Sequence, residues 1–308
     1  MKIIYGISQI KKYPKPVVAL GIFDGVHLAH RKIIQDAVKQ AKVIRGTSIA
    51  VTFWPHPQGA KSLYSLNHRL NLIAELGVQV AVVIKFDRKF SQICAQDFIK
   101  KILVEKINAG YIFVGENFRF GRYARGDIKL LKKFSQIHHF GLKTYKIIRI
   151  NHQPISSTFI RRLIRKGDLK SAEKLLLRPV SVLGTVIHGT SLARQYGFPT
   201  ANLDPHHEVL PSAGVYLVRT IFKNKNLNGV CYIGPKPTFI QSQLKGKLQR
   251  DTHIEVHFFN FKGNLYTKDL ELQFLVKLRQ AKKFGEVTNL VAQVKNDLKT
   301  AKEKFSHL

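Results

Sequence analysis

The amino-acid sequence predicts an α/β domain with a parallel, helix-covered sheet, followed by a mainly β domain that closes with a C-terminal helix. Three observations carry this. Through the first half, short β-type runs alternate with helical patterns. At Arg178-Pro179 the texture changes to short β-type runs separated by Gly, Pro and Asn. The final stretch places Val287, Leu290, Val291, Val294, Leu298, Ala301 and Phe305 at helical spacing on one face, with its lysines largely off it. A chain of 308 residues has room for two domains of ordinary size, and the boundary is expected between residues 178 and 179.

In the first domain, strands are expected over Val17–Phe23, Ser48–Phe53, Val80–Phe86, Tyr111–Gly115 and Thr144–Ile150. Between them lie helical patterns over Ala29–Lys42, Arg69–Leu76, Gln96–Ile107 and Ile128–His139. A hydroxyl cluster, Ser156-Ser157-Thr158, precedes a further helical run in the manner of an N-cap, and Leu169–Leu177 ends the domain as a helix. In the second domain the β-type runs are Val182–Ile187, Gly214–Phe222, Gly229–Ile233, His253–Phe261 and Leu270–Val276, which read as an antiparallel barrel or sandwich.

Composition narrows the function classes. The two cysteines, Cys94 and Cys231, form no disulfide framework and fit a reducing compartment. Lys11-Lys12 interrupt the N-terminal apolar stretch before it reaches signal-peptide length, and no run is long enough to span a bilayer. A cytoplasmic protein is expected, with no membrane association. Lys and Arg number 51 against 19 Asp and Glu, a formal net charge of +32. These charges are spread along the chain, so weak nonspecific polyanion binding is expected at low salt.

The run Gly21-Ile22-Phe23-Asp24-Gly25-Val26-His27-Leu28-Ala29-His30 follows the apolar run Val17–Leu20 and opens onto a helical pattern. It places two histidines where a helix start offers free N–H groups and a positive dipole end, a setting suited to phosphate. Zinc would need two more ligands at short spacing, and the cysteines are remote and solitary. Three more loops should converge at the same strand ends: Thr52–Pro57, Val114–Arg122 with Asn117, Phe118 and Phe120, and the Ser156, Ser157, Thr158 cap with Arg161. Hydroxyls and an arginine there suit a triphosphate, and Phe118 and Phe120 suit a planar ring.

In the second domain, Thr200 and Asn202 within Phe198-Pro199-Thr200-Ala201-Asn202 are hard oxygen ligands suited to nucleotide-borne magnesium, or else turn formers. Glu255 is placed to accept a proton from an attacking alcohol, or is an exposed strand residue.

The segments Gly21–His30, Val114–Asp127, Ile155–Arg161, Gly184–Leu203, Gly214–Val218, Gly229–Phe239 and Ile254–Phe284 together resemble the bacterial bifunctional riboflavin kinase/FAD synthetase family, in order over nearly the whole chain. The resemblance implies a Rossmann-like nucleotidyltransferase domain with FMN adenylyltransferase activity and a small riboflavin-kinase β-barrel. It implies ATP and Mg2+ as the substrate complex, with riboflavin, FMN and FAD as substrates and products. Carried over, His27, His30 and Arg161 handle phosphate, as does the Ser156, Ser157 and Thr158 cap. Gly21, Phe23, Asp24, Asn117 and Phe118 hold nucleotide or flavin. In the second domain Glu255 is the base and Thr200 and Asn202 hold magnesium and nucleotide. Gly184, Gly189 and Arg194 flank the nucleotide, and Arg279 lies near the flavin end.

This chain departs from the family pattern at Ile22, Ala29, Ala193 and Thr267, the family favouring glycine at 29, 193 and 267. A methyl group at residue 29 is harmless on helical backbone and strained at positive φ. Two alternatives remain: a chain with only its kinase half active, and a basic nucleic-acid-binding protein on a nucleotidyltransferase scaffold.

Overall fold

Parallel pairing of six strands organises the first half of the chain. The computed structural model describes residues 1–57, 59, 62–150, 152–189, 196–235 and 252–306. The chain divides into two units, Met1–Phe159 and Ile160–Leu308. Residues 178 and 179, where the boundary is expected, lie between the helix Leu169–Leu176 and the strand that starts at Val180.

In the first unit the strands are β1 (Lys2–Tyr5), β2 (Val17–Leu20), β3 (Ser48–Trp54), β4 (Val80–Lys85), β5 (Tyr111–Gly115) and β6 (Gly141–Tyr145). They form a sheet of order β1-β4-β3-β2-β5-β6, and every neighbouring pair is parallel. The central strands are continuous apolar runs because helices cover both faces: Val17, Val18, Ala19 and Leu20 are all buried. The principal helices are α1 (Leu28–Val43), α2 (Leu66–Glu75), the short α3 (Arg88–Ser91) and α4 (Ala95–Asp97), and α5 (Ile128–His138).

Three expectations change here. The run Val17–Phe23 ends as a strand at Leu20, because the backbone turns into the left-handed region at Phe23. Most of the helix expected over Gln96–Ile107 has π geometry over Phe98–Lys106, and Ile107 N–H donates to the Ile102 carbonyl five residues back. Thr144–Ile150 is not one strand: β6 stops at Tyr145, and Arg149–Ile150 (β7) pairs antiparallel with Gln153–Pro154 (β8).

The second unit begins within α6 (Ser157–Lys166) and continues through α7 (Leu169–Leu176). Its strands are β9 (Val180–Ile187), β10 (Ala201–Asp204), β11 (Gly214–Phe222), β12 (Lys225–Gly234), β13 (His253–Phe258) and β14 (Asp269–Gln280), followed by helix α8 (Val287–Phe305). They close a barrel of order β10-β13-β12-β11-β14-β9, the last strand pairing with the first. Of the barrel and sandwich readings, the barrel is the one formed. Closure removes exposed strand edges. Alternation on β13 sends Ile254, Val256 and Phe258 inward, leaving Glu255 and His257 on the outer face. Part of that outer face is covered by α8, where Ala301, Leu298 and Phe305 join Val215, Leu217 and Val230 in a second apolar cluster.

Candidate active sites

The first site lies where the strand order reverses. From β2 the chain runs outward to β3 and β4, then returns to place β5 on the other side of β2. Crevices in such sheets open beyond the carboxyl ends of the strands at this switch point. Leu20 pairs with Val114, so the Gly21–His30 turn and the loop carrying Asn117 leave the sheet side by side.

The turn is backbone under strain. Phe23 (φ 55°) and Val26 (φ 41°) adopt the left-handed region that L side chains disfavour, and Gly25 (φ 86°) sits between them. A side chain at residue 25 would also strike Leu63. Burial of the Phe23 and Val26 side chains offsets the strain. A Cβ at Gly21 would press on the Phe23 ring at 2.9 Å. His27 is the N-cap residue of α1, and Ala29 lies in the first helical turn without positive φ. The methyl group of Ala29 therefore introduces no backbone strain.

The His27 and His30 rings stack with centroids 3.7 Å apart and planes 17° apart, and Phe23 meets His30 edge-on at 5.4 Å. Burial lowers the His27 pKa to about 4. His30 is held well below its ordinary value, first by burial and then by the positive charges of His27 and Arg69. Both imidazoles are thus neutral near pH 7, and among the described residues neither Nδ1 has a hydrogen-bond partner. The pair offers uncharged imidazole nitrogens at the positive end of α1.

Asp24 is buried and its carboxylate faces inward. Oδ1 accepts from Leu63 N–H at 2.8 Å, and the Arg69 guanidinium lies 3.8 Å away. The Asp24 carbonyl accepts from the Ser157 hydroxyl at 2.6 Å, which ties the start of α6 to the turn. Ser156 caps α6 by accepting from Phe159 N–H at 3.2 Å. Thr158 is exposed in the first turn, and Arg161 follows Ser157 by four residues, on the same helix face.

Asn117 is exposed just beyond β5. Phe118 is half-buried, stacked on Phe120 at 5.8 Å and near Phe53 at 6.4 Å. Phe120 is buried in the apolar core, which corrects its expected use as a surface for a planar ring.

In the barrel, strand register gathers the site. Asn202 of β10 pairs with Glu255 of β13, Glu255 with Tyr232 of β12, Tyr232 with Val215 of β11, and Val215 with Arg279 of β14. Directly paired residues project from the same face. Asn202, Glu255, Tyr232 and Arg279 therefore form one row around the outer barrel. Electrostatics agree: after burial, the Glu255 charge raises the Tyr232 pKa and the Arg279 charge lowers it.

Thr200 immediately precedes β10, and its loop is anchored by a 2.9 Å hydrogen bond between His257 Nδ1 and the Pro199 carbonyl. A Cβ at Gly184 would run into the Asp204 carbonyl, and one at Gly189 would overlap the Asn202 carboxamide. Both glycines thus permit close approach. Arg279 is held by Asp297 of α8, with Nε to Oδ1 at 2.8 Å and Nη2 to Oδ2 at 2.6 Å. Thr267 has φ 61°, so the residue after Tyr266 occupies a glycine-favouring conformation. Arg194 and Ala193 lie outside the described residues.

Residue-type reasoning passed over Arg69, Tyr232 and His257. His257 was legible as the same-face neighbour of Glu255, two residues along a strand. Arg69 had no local signal, because its partners come from positions 22, 24, 52 and 53.

Comparison with known proteins resolves the family. The FAD synthetase family profile matches residues 9–159 and the riboflavin kinase profile matches residues 176–305. A bifunctional riboflavin kinase/FMN adenylyltransferase from Buchnera aphidicola subsp. Schizaphis graminum is 34% identical over 316 residues, covering 99% of each chain. Its namesake from Escherichia coli K12 is 33% identical, covering 99% of this chain and 98% of that one. The Bacillus subtilis protein of the same name is 34% identical, covering 96% and 94%. A crystal structure described as a macrolide-efflux protein from Streptococcus pneumoniae superposes with a TM-score of 0.82 at 26% identity, covering 98% of this chain and 99% of that one. Among the described residues of the present chain, no helix is long and apolar enough to cross a membrane. With a parallel sheet matched to one profile, a closed barrel matched to the other, and relatives that run the full length of both, the chain belongs to the bifunctional riboflavin kinase/FMN adenylyltransferase family.

Proposed function

We propose that this chain phosphorylates riboflavin to FMN with ATP and then adenylylates FMN to FAD with a second ATP, releasing pyrophosphate. One observation carries the reading: the chain matches, over nearly its full length, relatives named for both activities, with one family profile on the parallel-sheet half and the other on the barrel half.

In adenylyl transfer the FMN phosphate attacks the α-phosphorus of ATP and pyrophosphate leaves, so alignment and charge offset suffice. His27 and His30 present imidazole nitrogens to the phosphates at the start of α1. The backbone N–H groups and hydroxyls of Ser156, Ser157 and Thr158 do so at the start of α6, with Arg161 one turn on. Gly21, Phe23 and Asp24 shape the turn, while Asn117 and Phe118 flank a ring. In the kinase step Glu255 accepts the proton of the riboflavin 5'-hydroxyl as it attacks the γ-phosphorus of ATP. Gly184 and Gly189 allow close approach of the Asp204 and Asn202 groups, Arg194 is assigned to the nucleotide, and Arg279 borders the flavin end.

Asn202, opposite Glu255, and Thr200, two residues before Asn202, supply hard oxygen donors, a donor set that fits magnesium. Magnesium there would offset charge on the ATP phosphates while Glu255 handles the proton. We assign adenylyl transfer to residues 1–178 and the kinase to 179–308, and place both ATP-consuming reactions in the cytoplasm. The net charge of +32 supports weak, sequence-independent polyanion binding at low salt as a side property.

The test is incubation of the purified chain with riboflavin, ATP and magnesium, with riboflavin, FMN and FAD resolved by chromatography over time. FMN should rise first and FAD follow. A chain that makes FMN but no FAD has a working kinase half alone, and one that makes neither defeats the reading.

A further inference from the structure

We propose that Arg69 is a positioning residue for adenylyl transfer, acting through the His27–His30 turn without touching substrate. The proposal rests on the adenylyltransferase reading of the first unit.

Arg69 projects from α2 and is wholly buried. Its Nη1 donates to the Ile22 carbonyl at 2.9 Å, the Phe53 carbonyl at 3.2 Å and the Thr52 hydroxyl at 3.3 Å. Thr52 in turn donates to Ile22 O at 2.7 Å. One guanidinium nitrogen thereby joins the ends of β2 and β3, from which two of the site's loops depart. Its Nη2 lies 3.8 Å from Asp24, whose carbonyl receives the Ser157 hydroxyl. The guanidinium also lies over the Trp54 ring at 5.4 Å. Arg69 is thus linked to the His turn, to β3 and, through Asp24, to the start of α6.

Stability alone does not account for this arrangement. A buried charge whose acidic partner stands at 3.8 Å recovers little of its desolvation cost, and an apolar side chain of similar volume would hold two strand ends more cheaply. Moreover, among the described residues, Arg69 Nε and Nη2, His27 Nδ1 and His30 Nδ1 are all buried without hydrogen-bond partners. Unsatisfied buried polar atoms are costly and uncommon in native proteins. Here four of them belong to one brace and the turn it supports.

The charge has a role that the hydrogen bonds do not. The groups acting on His30 are His27 beside it and Arg69 from α2, with Asp24 of the turn paired to Arg69. From β3, Thr52 and Phe53 bring no titratable group. Burial is the main reason that His30 is neutral, followed by His27; the Arg69 charge adds to both by disfavouring a further positive charge on that imidazole. It also adds to the positive end of α1 from behind.

Two full-length variants separate the roles. Arg69→Gln removes the charge, and Arg69→Lys keeps it while losing the planar fork. Imidazole titration of His30, followed by NMR without substrate, should move to higher pH in Arg69→Gln and stay near wild type in Arg69→Lys. The acid limb of kcat/KM for FAD formation should shift upward with it in Arg69→Gln. In Arg69→Lys the pH profile should keep its position while kcat/KM falls on the order of 100-fold through lost alignment. Emission from Trp54, the single tryptophan, reports folding at the brace itself. Unchanged His30 titration in a folded Arg69→Gln protein overturns the proposal, as does an Arg69→Lys protein with wild-type kcat/KM. If Arg69→Gln does not fold, the Arg69→Lys result alone decides. Failure of the wild-type chain to make FAD would defeat the underlying reading instead, and the His30 titration needs no activity.

Discussion

In the first unit His27 and His30 lie at the turn and helix start beyond the end of parallel strand β2, and Ser157 starts a helix tied to that turn, whereas in the second Asn202, Glu255 and Tyr232 lie opposite one another on paired antiparallel strands. The first arrangement depends on left-handed backbone at Phe23 and Val26 and on buried polar braces such as Arg69. The second depends on ladder hydrogen bonds that the barrel needs in any case. A turn-built site is therefore sensitive to remote supporting residues. A register-built site is sensitive chiefly to its own side chains, since register is set by the alternation of the whole strand.

The largest expected effect is a clean separation of the two reactions. Glu255→Gln should slow FMN formation by about 10³-fold while FMN is still converted to FAD, as expected on losing a general base. His30→Ala should do the reverse. Chromatography of each half-reaction is the check, and equal loss of both in either variant would break the comparison.

Next is the link between strand β14 and helix α8. Asp297→Ala leaves Arg279 without its bidentate partner and should destabilise the second unit by about 2–3 kcal/mol. The link is exposed enough to discount the full cost of a buried pair, with side chains 17% and 8% accessible. Urea unfolding followed by near-ultraviolet dichroism measures the loss. A combined Arg279→Met, Asp297→Leu variant should recover most of it, and failure to do so would mean that the pair sets geometry.

The pH response should differ between the units. His27 is neutral when folded, with a pKa of about 4 against an ordinary 6.5. Below pH 6.5 the unfolded chain binds more protons at this group, so stability falls as pH drops toward 4. The loss is on the order of 3 kcal/mol from this residue. Urea titrations read by Trp54 emission should show this slope, and His27→Gln should flatten it.

The smallest effects concern two departures from the family pattern. Thr267→Gly should raise stability by about 0.5–1 kcal/mol, because Thr267 sits at φ 61°. Ala29→Gly should lower it by less than about 1 kcal/mol, because residue 29 is helical. Thermal unfolding of the two variants should thus move in opposite directions.

Much of the architecture was legible along the chain. Tyr111–Gly115 and Gly214–Phe222 match the observed strands, and α1 matches its expected helix to within a residue at each end. Strands β1 and β10 were not legible. The first buries only Ile4 among its four residues, and the second is a four-residue Ala-Asn-Leu-Asp segment whose strand character comes from closing the barrel between β9 and β13. Of the candidate residues, the Ser156 cap has a local signal that the structure repeats as a hydrogen bond. Asp24 has none that reveals its inward carboxylate, because its partners lie at positions 63, 69 and 157.

By itself, the sequence determined the periodicities of the two units, the glycines that allow tight turns, and the residue types at each site, because these express local preferences and side-chain chemistry. Only the tertiary structure decided that Ala29 is unstrained and Thr267 is not, that the histidines are neutral, that Phe120 is core, and that Asn202, Glu255, Tyr232 and Arg279 share one row. Each of these depends on burial, backbone angle or register, quantities set by groups far away in the chain.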